Sequence, residues 1–254
     1  MTLENVWYLI GLGGIAGVIP IYVGLAAALL AITVSNRSWE GFLTGIATGV
    51  LVYLFFDLMH EAVEQTAAQD PLSWLVFLGS VLIGFVGLVA FEQHQGRNRS
   101  EAFRLSLPYM IALALGLHNL GEGLAIGASY AQGAWVLNGL LVGGFALHNG
   151  TEGFAIIASA GKSRLAVKEV VLMGLVAGLP TCVGAVISGL VVSTYLSIIF
   201  YALAAGSLLY VIFSLVAIFY TATRKMQTAT GVFAGLSLMY VTAMLLTIVT
   251  GIKS

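Results

Sequence analysis

Charge is scarce in this chain. Asp, Glu, Lys and Arg together make up 8% of 254 residues, against 59% hydrophobic, and the mean hydropathy is +1.01. So little polar surface cannot cover a water-facing globule of this length, which excludes a soluble domain and predicts an integral membrane protein. A single cysteine, Cys182, excludes an internal disulfide. The net charge of −1 points to neither nucleic acid nor an acidic partner; only the placement of the charges along the chain is informative. Glu4, rather than a basic cluster, precedes the first apolar stretch, and that stretch outruns a signal-peptide core. It reads as a retained span.

What the chain has in abundance is apolar sequence long enough to cross about 30 Å of hydrocarbon as helix. Eight such stretches are expected, at Trp7 to Val34, Trp39 to Val63, Leu72 to Gln93, Leu107 to Tyr130, Ala134 to Ala160, Lys168 to Val192, Tyr195 to Thr221 and Thr228 to Ile252. The expected fold is an all-α bundle of eight transmembrane helices in one domain spanning 1–254. Glycines recur at four-residue spacing in Gly41/Gly45/Gly49, Gly139/Gly143, Gly174/Gly178 and Gly231/Gly235, a pattern that lets helices approach closely in lipid. Arg37, then Arg97, Arg99 and Arg104, then Lys162, Arg164 and Lys168, then Arg224 and Lys225 all fall at odd-numbered loops. Lys253 falls opposite, with Glu4, Glu64 and Asp70. The positive-inside bias therefore puts the odd loops in the cytoplasm and both termini outside a cell membrane.

Ionisable side chains within such spans cost at least a few kcal/mol each and normally face the bundle interior. The strings "LHNLGEG" (Leu117 to Gly123) and "LHNGTEG" (Leu147 to Gly153) place the same His-Asn-x-x-Glu-Gly pattern at the middle of two neighbouring spans. His118 and Glu122 are four residues apart, about 40° around a helix, and point the same way; His148 and Glu152 repeat the arrangement. Two imidazoles and two carboxylates brought together suit Zn(II), Fe(II), Mn(II) or Co(II) better than Ca(II) or Mg(II). Asn119 and Asn149 are placed to give amide oxygens or supporting hydrogen bonds. Gly121, Gly123, Gly150 and Gly153 weaken the helix and allow freed carbonyls to turn toward a cavity, a broken helix at mid-membrane being a common transporter device.

A second group, Asp57, His60, Glu61 and Glu64 in "DLMHEAVEQ", follows i, i+3, i+4, i+7 spacing and forms an acidic stripe at the outer end of the second span. It is a candidate metal entrance. Glu92 and His94, ending the third span, are candidates for an exit site. Cys182, two residues after Pro180, is a soft-ligand candidate that packing explains equally well.

The doubled motif on spans four and five resembles the ZIP (Zrt/Irt-like protein) divalent metal transporters, and in particular members with an HNxPEG motif on each of these helices. His60-Glu61, where the family often has His-x-x-Pro-Glu, and "AAGSLLYVIF" in span seven agree with this likeness. The resemblance implies one transporter domain that moves a transition-metal ion, usually Zn(II), into the cytoplasm by alternating access, with the motif residues as its central site. Gly121 and Thr151 stand where the family motif has proline, and Leu179 rather than glutamate precedes Pro180. A mononuclear site of His118, Glu122, His148 and Glu152 is therefore expected. The third loop also has no long histidine-rich insert of the kind that would sense cytoplasmic metal.

The implied partners are divalent metal ions, carried as substrate rather than held as a cofactor, and the lipid bilayer, with a homodimer as a candidate assembly. An intramembrane metal-dependent hydrolase and a proton or cation conductor are the alternative readings. The absence of an HExxH string or a nucleophile elbow argues against an enzyme.

Overall fold

The computed structural model describes residues 2–34, 39–67, 70–98, 106–161, 165–191, 193–220 and 224–250. Arg37, Arg99, Arg104, Lys162, Arg164 and Lys253, on which the orientation reading leans, lie outside the described residues, as do the expected span ends at Val192, Thr221 and Ile252. Ten α-helices and two π-helical turns join end to end into eight rods, with no strand among the described residues.

Rod α1 runs Leu3–Gly13, a π-helical turn Gly14–Val18, and Ile19–Val34; α2 is Glu40–Ala67. Rod α3 runs Pro71–Leu82, a second π-helical turn Ile83–Gly87, and Leu88–Asn98. The remaining rods are α4 Leu107–Ala131, α5 Trp135–Ser159, α6 Val167–Leu190, α7 Thr194–Phe219 and α8 Lys225–Thr250.

Among the described residues, seven segments are long and apolar enough to cross a membrane: Leu3–Ala31, Glu40–Thr66, Pro71–Gln95, Leu107–Ala131, Val167–Leu190, Thr194–Phe219 and Lys225–Leu245. They fit a multi-pass membrane protein. The 25-residue α5 is not among them. Asn138, Thr151, the three polar motif residues His148, Asn149 and Glu152, and several glycines dilute its apolar character below that of its neighbours. Apolarity alone therefore marks seven crossings rather than the expected eight.

Local chemistry sets the ends of the rods. The Asp70 carboxylate accepts from the backbone N–H groups of Leu72 and Ser73 at 3.0 and 3.3 Å, with Pro71 as the first helical residue, so α3 begins on a well-capped turn. Between α4 and α5 the chain reverses within three residues, Gln132 to Ala134, through Gly133 at φ +68°, a left-handed conformation that glycine adopts without a Cβ clash. That tight reversal makes the two motif helices antiparallel neighbours.

The rods pack as α4 along α6, α2 along α8 and α5 along α1, while α7 lies against α2, α3 and α4. Glycine makes the first two contacts close. A Cβ at Gly123 would overlap the Thr181 carbonyl, and one at Gly49 or Gly235 would overlap a carbonyl of the facing helix. Gly174 and Gly178 likewise face Tyr22 and Val18 of α1. Three of the four glycine series thus lie at helix contacts, as their spacing predicts. Gly139 and Gly143 do not, since nothing lies within 4 Å of a Cβ built at either.

Candidate metal centre

The i, i+4 spacing puts His118 and Glu122 on one face of α4, His148 and Glu152 on one face of α5, and the short reversal turns these faces toward each other. All four side chains are buried. His118 Nε2 lies 3.0 Å from Glu122 Oε1 and 3.6 Å from Glu152 Oε1, and His148 Nε2 also meets Glu122 Oε1. The ligating atoms of His118, Glu122 and His148 all lie within 4.8 Å of one another, a spacing that one ion could bridge. Phe145 stands edge-on to the His148 ring, with centroids 5.6 Å apart.

Several polar atoms at this centre have no hydrogen-bond partner: both nitrogens of His118, Glu152 Oε1, and the amide oxygens of Asn119 and Asn149. Buried lone pairs are normally satisfied, and leaving one unmade costs about 1–3 kcal/mol. Among them, His118 Nε2 and Glu152 Oε1 lie 3.6 Å apart, the arrangement expected of atoms that coordinate a cation. Nitrogen and carboxylate donors together suit a transition-metal ion.

The two asparagines are tied into the centre crosswise. Asn119 on α4 donates to Glu152 Oε2 on α5 at 2.9 Å and to the Ala177 carbonyl of α6 at 3.1 Å. Asn149 on α5 donates to Glu122 Oε2 on α4 at 2.7 Å and to the Ala16 carbonyl of α1 at 2.9 Å. Ala16 lies inside the π-helical turn of α1.

A cavity of about 330 Å³ leads away from His118 and Glu122. Its wall includes Asp57 and Glu61 of α2, Ser129 and Gln132 of α4, Leu141 and Phe145 of α5, and Tyr201 of α7. These residues lie toward the α4–α5 turn and the C-terminal end of α2, so the cavity extends to that face of the bundle. On the other side of the centre, Met110, Ile111 and Leu115 of α4 pack with Leu25, Leu51, Ile156 and Leu208, all essentially inaccessible. That side is a packed apolar plug.

The acidic stripe on α2 divides in two. Asp57 and Glu61 line the cavity, whereas His60 and Glu64 do not line it and pair with each other at 3.5 Å on an exposed surface. Glu92 accepts a hydrogen bond from the Tyr210 hydroxyl at 3.1 Å; neither it nor the exposed His94 lines the cavity. The Cys182 thiol donates to the Ile10 carbonyl at 3.5 Å, away from the metal cluster.

One expectation is corrected by the backbone. α4 and α5 run as continuous α-helices through both motifs, and the irregular turns lie instead in α1 and α3. The motif glycines serve close packing, Gly123 against α6 and Gly153 against Gly24 of α1. The roles of Ala16, Phe145 and Tyr201 were not visible in the sequence, although the glycine-rich "GLGGIAGVIP" before Pro20 marks α1 as deformable.

Over 163 residues, 62% of the chain, the sequence is 27% identical to a curated protein of Arabidopsis thaliana that bears the name "Putative zinc transporter". The likeness is to a protein named for zinc. It spans 26% of that protein's length. No protein-family profile matches the chain.

Proposed function

We propose that this chain carries divalent transition-metal ions, zinc foremost, across a membrane into the cytoplasm, as a ZIP-type transporter of eight crossings with both termini outside. The observation that carries this reading is the buried convergence of His118, Glu122, His148 and Glu152 at the inner end of a cavity that extends to one face. The name of the Arabidopsis relative agrees with it. Fe(II), Mn(II) and Cd(II) are the further candidate cargoes on donor chemistry.

In this mechanism the ion passes Asp57 and Glu61, which concentrate cations at the mouth. It then exchanges water for the four central ligands, with Asn119 and Asn149 supporting them. A rearrangement of the helices parts the plug, and the ion leaves past Glu92 and His94 toward the basic cytoplasmic rim. Imidazole and carboxylate hold metal only when deprotonated, so acid weakens loading.

The deciding experiment is uptake of radioactive Zn(II) into proteoliposomes, with Fe(II), Mn(II) and Cd(II) as competitors and Glu122→Ala as control. Saturable uptake that the variant loses is the expected result. No uptake of any of the four by folded protein would overturn the transporter reading. It would leave the centre as the seat of a resident metal, structural or hydrolytic.

A further inference from the structure

The crosswise hydrogen bonds at the centre assign the motif asparagines a task other than coordination. Each amide nitrogen has two protons and uses both, one on the glutamate of the opposite motif and one on a backbone carbonyl of a third helix. A flipped amide would set its oxygen against a carboxylate and a carbonyl, so these partners fix the orientation. In each glutamate the Oε2 atom is taken by the asparagine. Oε1 is left turned toward the imidazoles: Glu122 Oε1 meets both histidines, and Glu152 Oε1 stands without a partner 3.6 Å from His118 Nε2.

We infer that Asn119 and Asn149 are positioning residues of the metal site: their amide N–H groups aim the Oε1 atom of Glu152 and of Glu122 at the metal, and they anchor these carboxylates to α6 and α1. The inference rests on the metal-transport reading and deepens it. One anchor, Ala16, lies in the π-helical turn of α1, and the other, Ala177, lies three residues before Pro180 in the continuous helix α6. Occupancy of the centre is thereby transmitted to α1 and α6 through one side chain each. Because the two arrangements mirror each other, either asparagine should show the effect.

The competing role is coordination through the amide oxygens, which are buried and without hydrogen-bond partners. Aspartate separates the two roles, because it keeps an oxygen at the same position while removing both donors and adding a charge beside the glutamate. The test is Zn(II) affinity of the full chain in lipid nanodiscs for wild type, Asn119→Asp, Asn149→Asp and His118→Ala. Weakening by roughly 10–100-fold in either Asp variant is expected, the range typical for lost support of a metal ligand. Unchanged or tighter binding in both Asp variants would overturn the inference and make the asparagines ligands or bystanders. Wild-type binding no tighter than that of His118→Ala would instead overturn the underlying metal-site reading.

Should the aspartates prevent folding, Asn149→Leu is compared with wild type in metal-free form by infrared spectroscopy. A shifted carboxylate stretch without metal is expected of a positioning role. An identical metal-free spectrum would overturn it.

Discussion

His118 Nε2 sits within 3.6 Å of two carboxylate oxygens, one from Glu122 and one from Glu152, yet makes a hydrogen bond with neither. Both His118 nitrogens and Glu152 Oε1 are buried polar atoms without a hydrogen-bond partner, and a cation at the centre would engage Nε2 and Oε1.

Replacing His118 by leucine removes two of these atoms while keeping an apolar side chain in the space. Metal-free His118→Leu is expected to melt no lower than wild type, each unmade bond being worth about 1–3 kcal/mol. Saturating zinc should raise the melting temperature of wild type but not of the variant; at a hundredfold excess over Kd the linkage is about 2.7 kcal/mol. A variant that melts well below wild type without metal would assign the histidine a structural role.

The division of the α2 stripe can be read in uptake rates. Asp57→Asn and Glu61→Gln each remove a charge from the cavity wall, and initial uptake at subsaturating zinc should fall severalfold to about tenfold, more at low salt than at high. His60→Ala and Glu64→Gln, on the exposed side of the helix, should change it by less than about twofold on the same grounds. Equal losses at all four positions would mean that the whole stripe faces the ion path.

Gly123 and Gly143 should respond in opposite ways to alanine. At Gly123 the new methyl group meets the Thr181 carbonyl, and α4 must separate from α6, at a cost of about 1–3 kcal/mol. At Gly143 the space is open, and alanine should be neutral or stabilise by up to about 1 kcal/mol through its better helix propensity. Thermal unfolding in detergent measures both.

Asp70 supplies a pH signature at the surface. The hydrogen bond from Tyr195, at 2.7 Å, is the largest influence holding its carboxyl below the ordinary carboxylate range; partial desolvation opposes this, and the Ser73 and Leu72 amides add to it. A carboxyl with a lowered folded-state pKa contributes stability that is present above its unfolded value and lost as pH falls through the folded one. The melting difference between wild type and Asp70→Asn should therefore hold near neutrality and shrink in acid below about pH 4. A difference that grows on acidification would contradict the capping role.

Much of the bundle was legible because lipid imposes simple rules: the long apolar stretches and the fourfold glycine spacing in α2, α6 and α8 map directly onto rods and helix contacts. The centre was legible for the same reason, since a repeated His and Glu four residues apart in an apolar span has few structural uses. The loosening that the motif glycines allow is not taken up in α4 or α5, because glycine only permits a bend. The tight contacts of Gly123 with α6 and Gly153 with α1 hold those helices straight. The split of the α2 stripe was hidden because four positions on one broad face, about 60° apart between the two pairs, need a neighbouring wall to tell them apart. The crosswise asparagine bonds depend on the relative placement of α1, α4, α5 and α6, which no local spacing encodes.

The packed apolar wall around Leu115, Ile156 and Leu208 has an electrical consequence. A voltage across a bilayer falls mainly over its driest layer, and little of it would fall over a cavity that water enters, such as the one lined by Asp57 and Glu61. Charge resting at His118 and Glu122 would then sit near the potential of the compartment the cavity faces, although it is deep in the bundle. Loading would be almost insensitive to voltage, and nearly all of the roughly 2.3 kcal/mol per charge that 100 mV supplies would act on the step in which the wall parts.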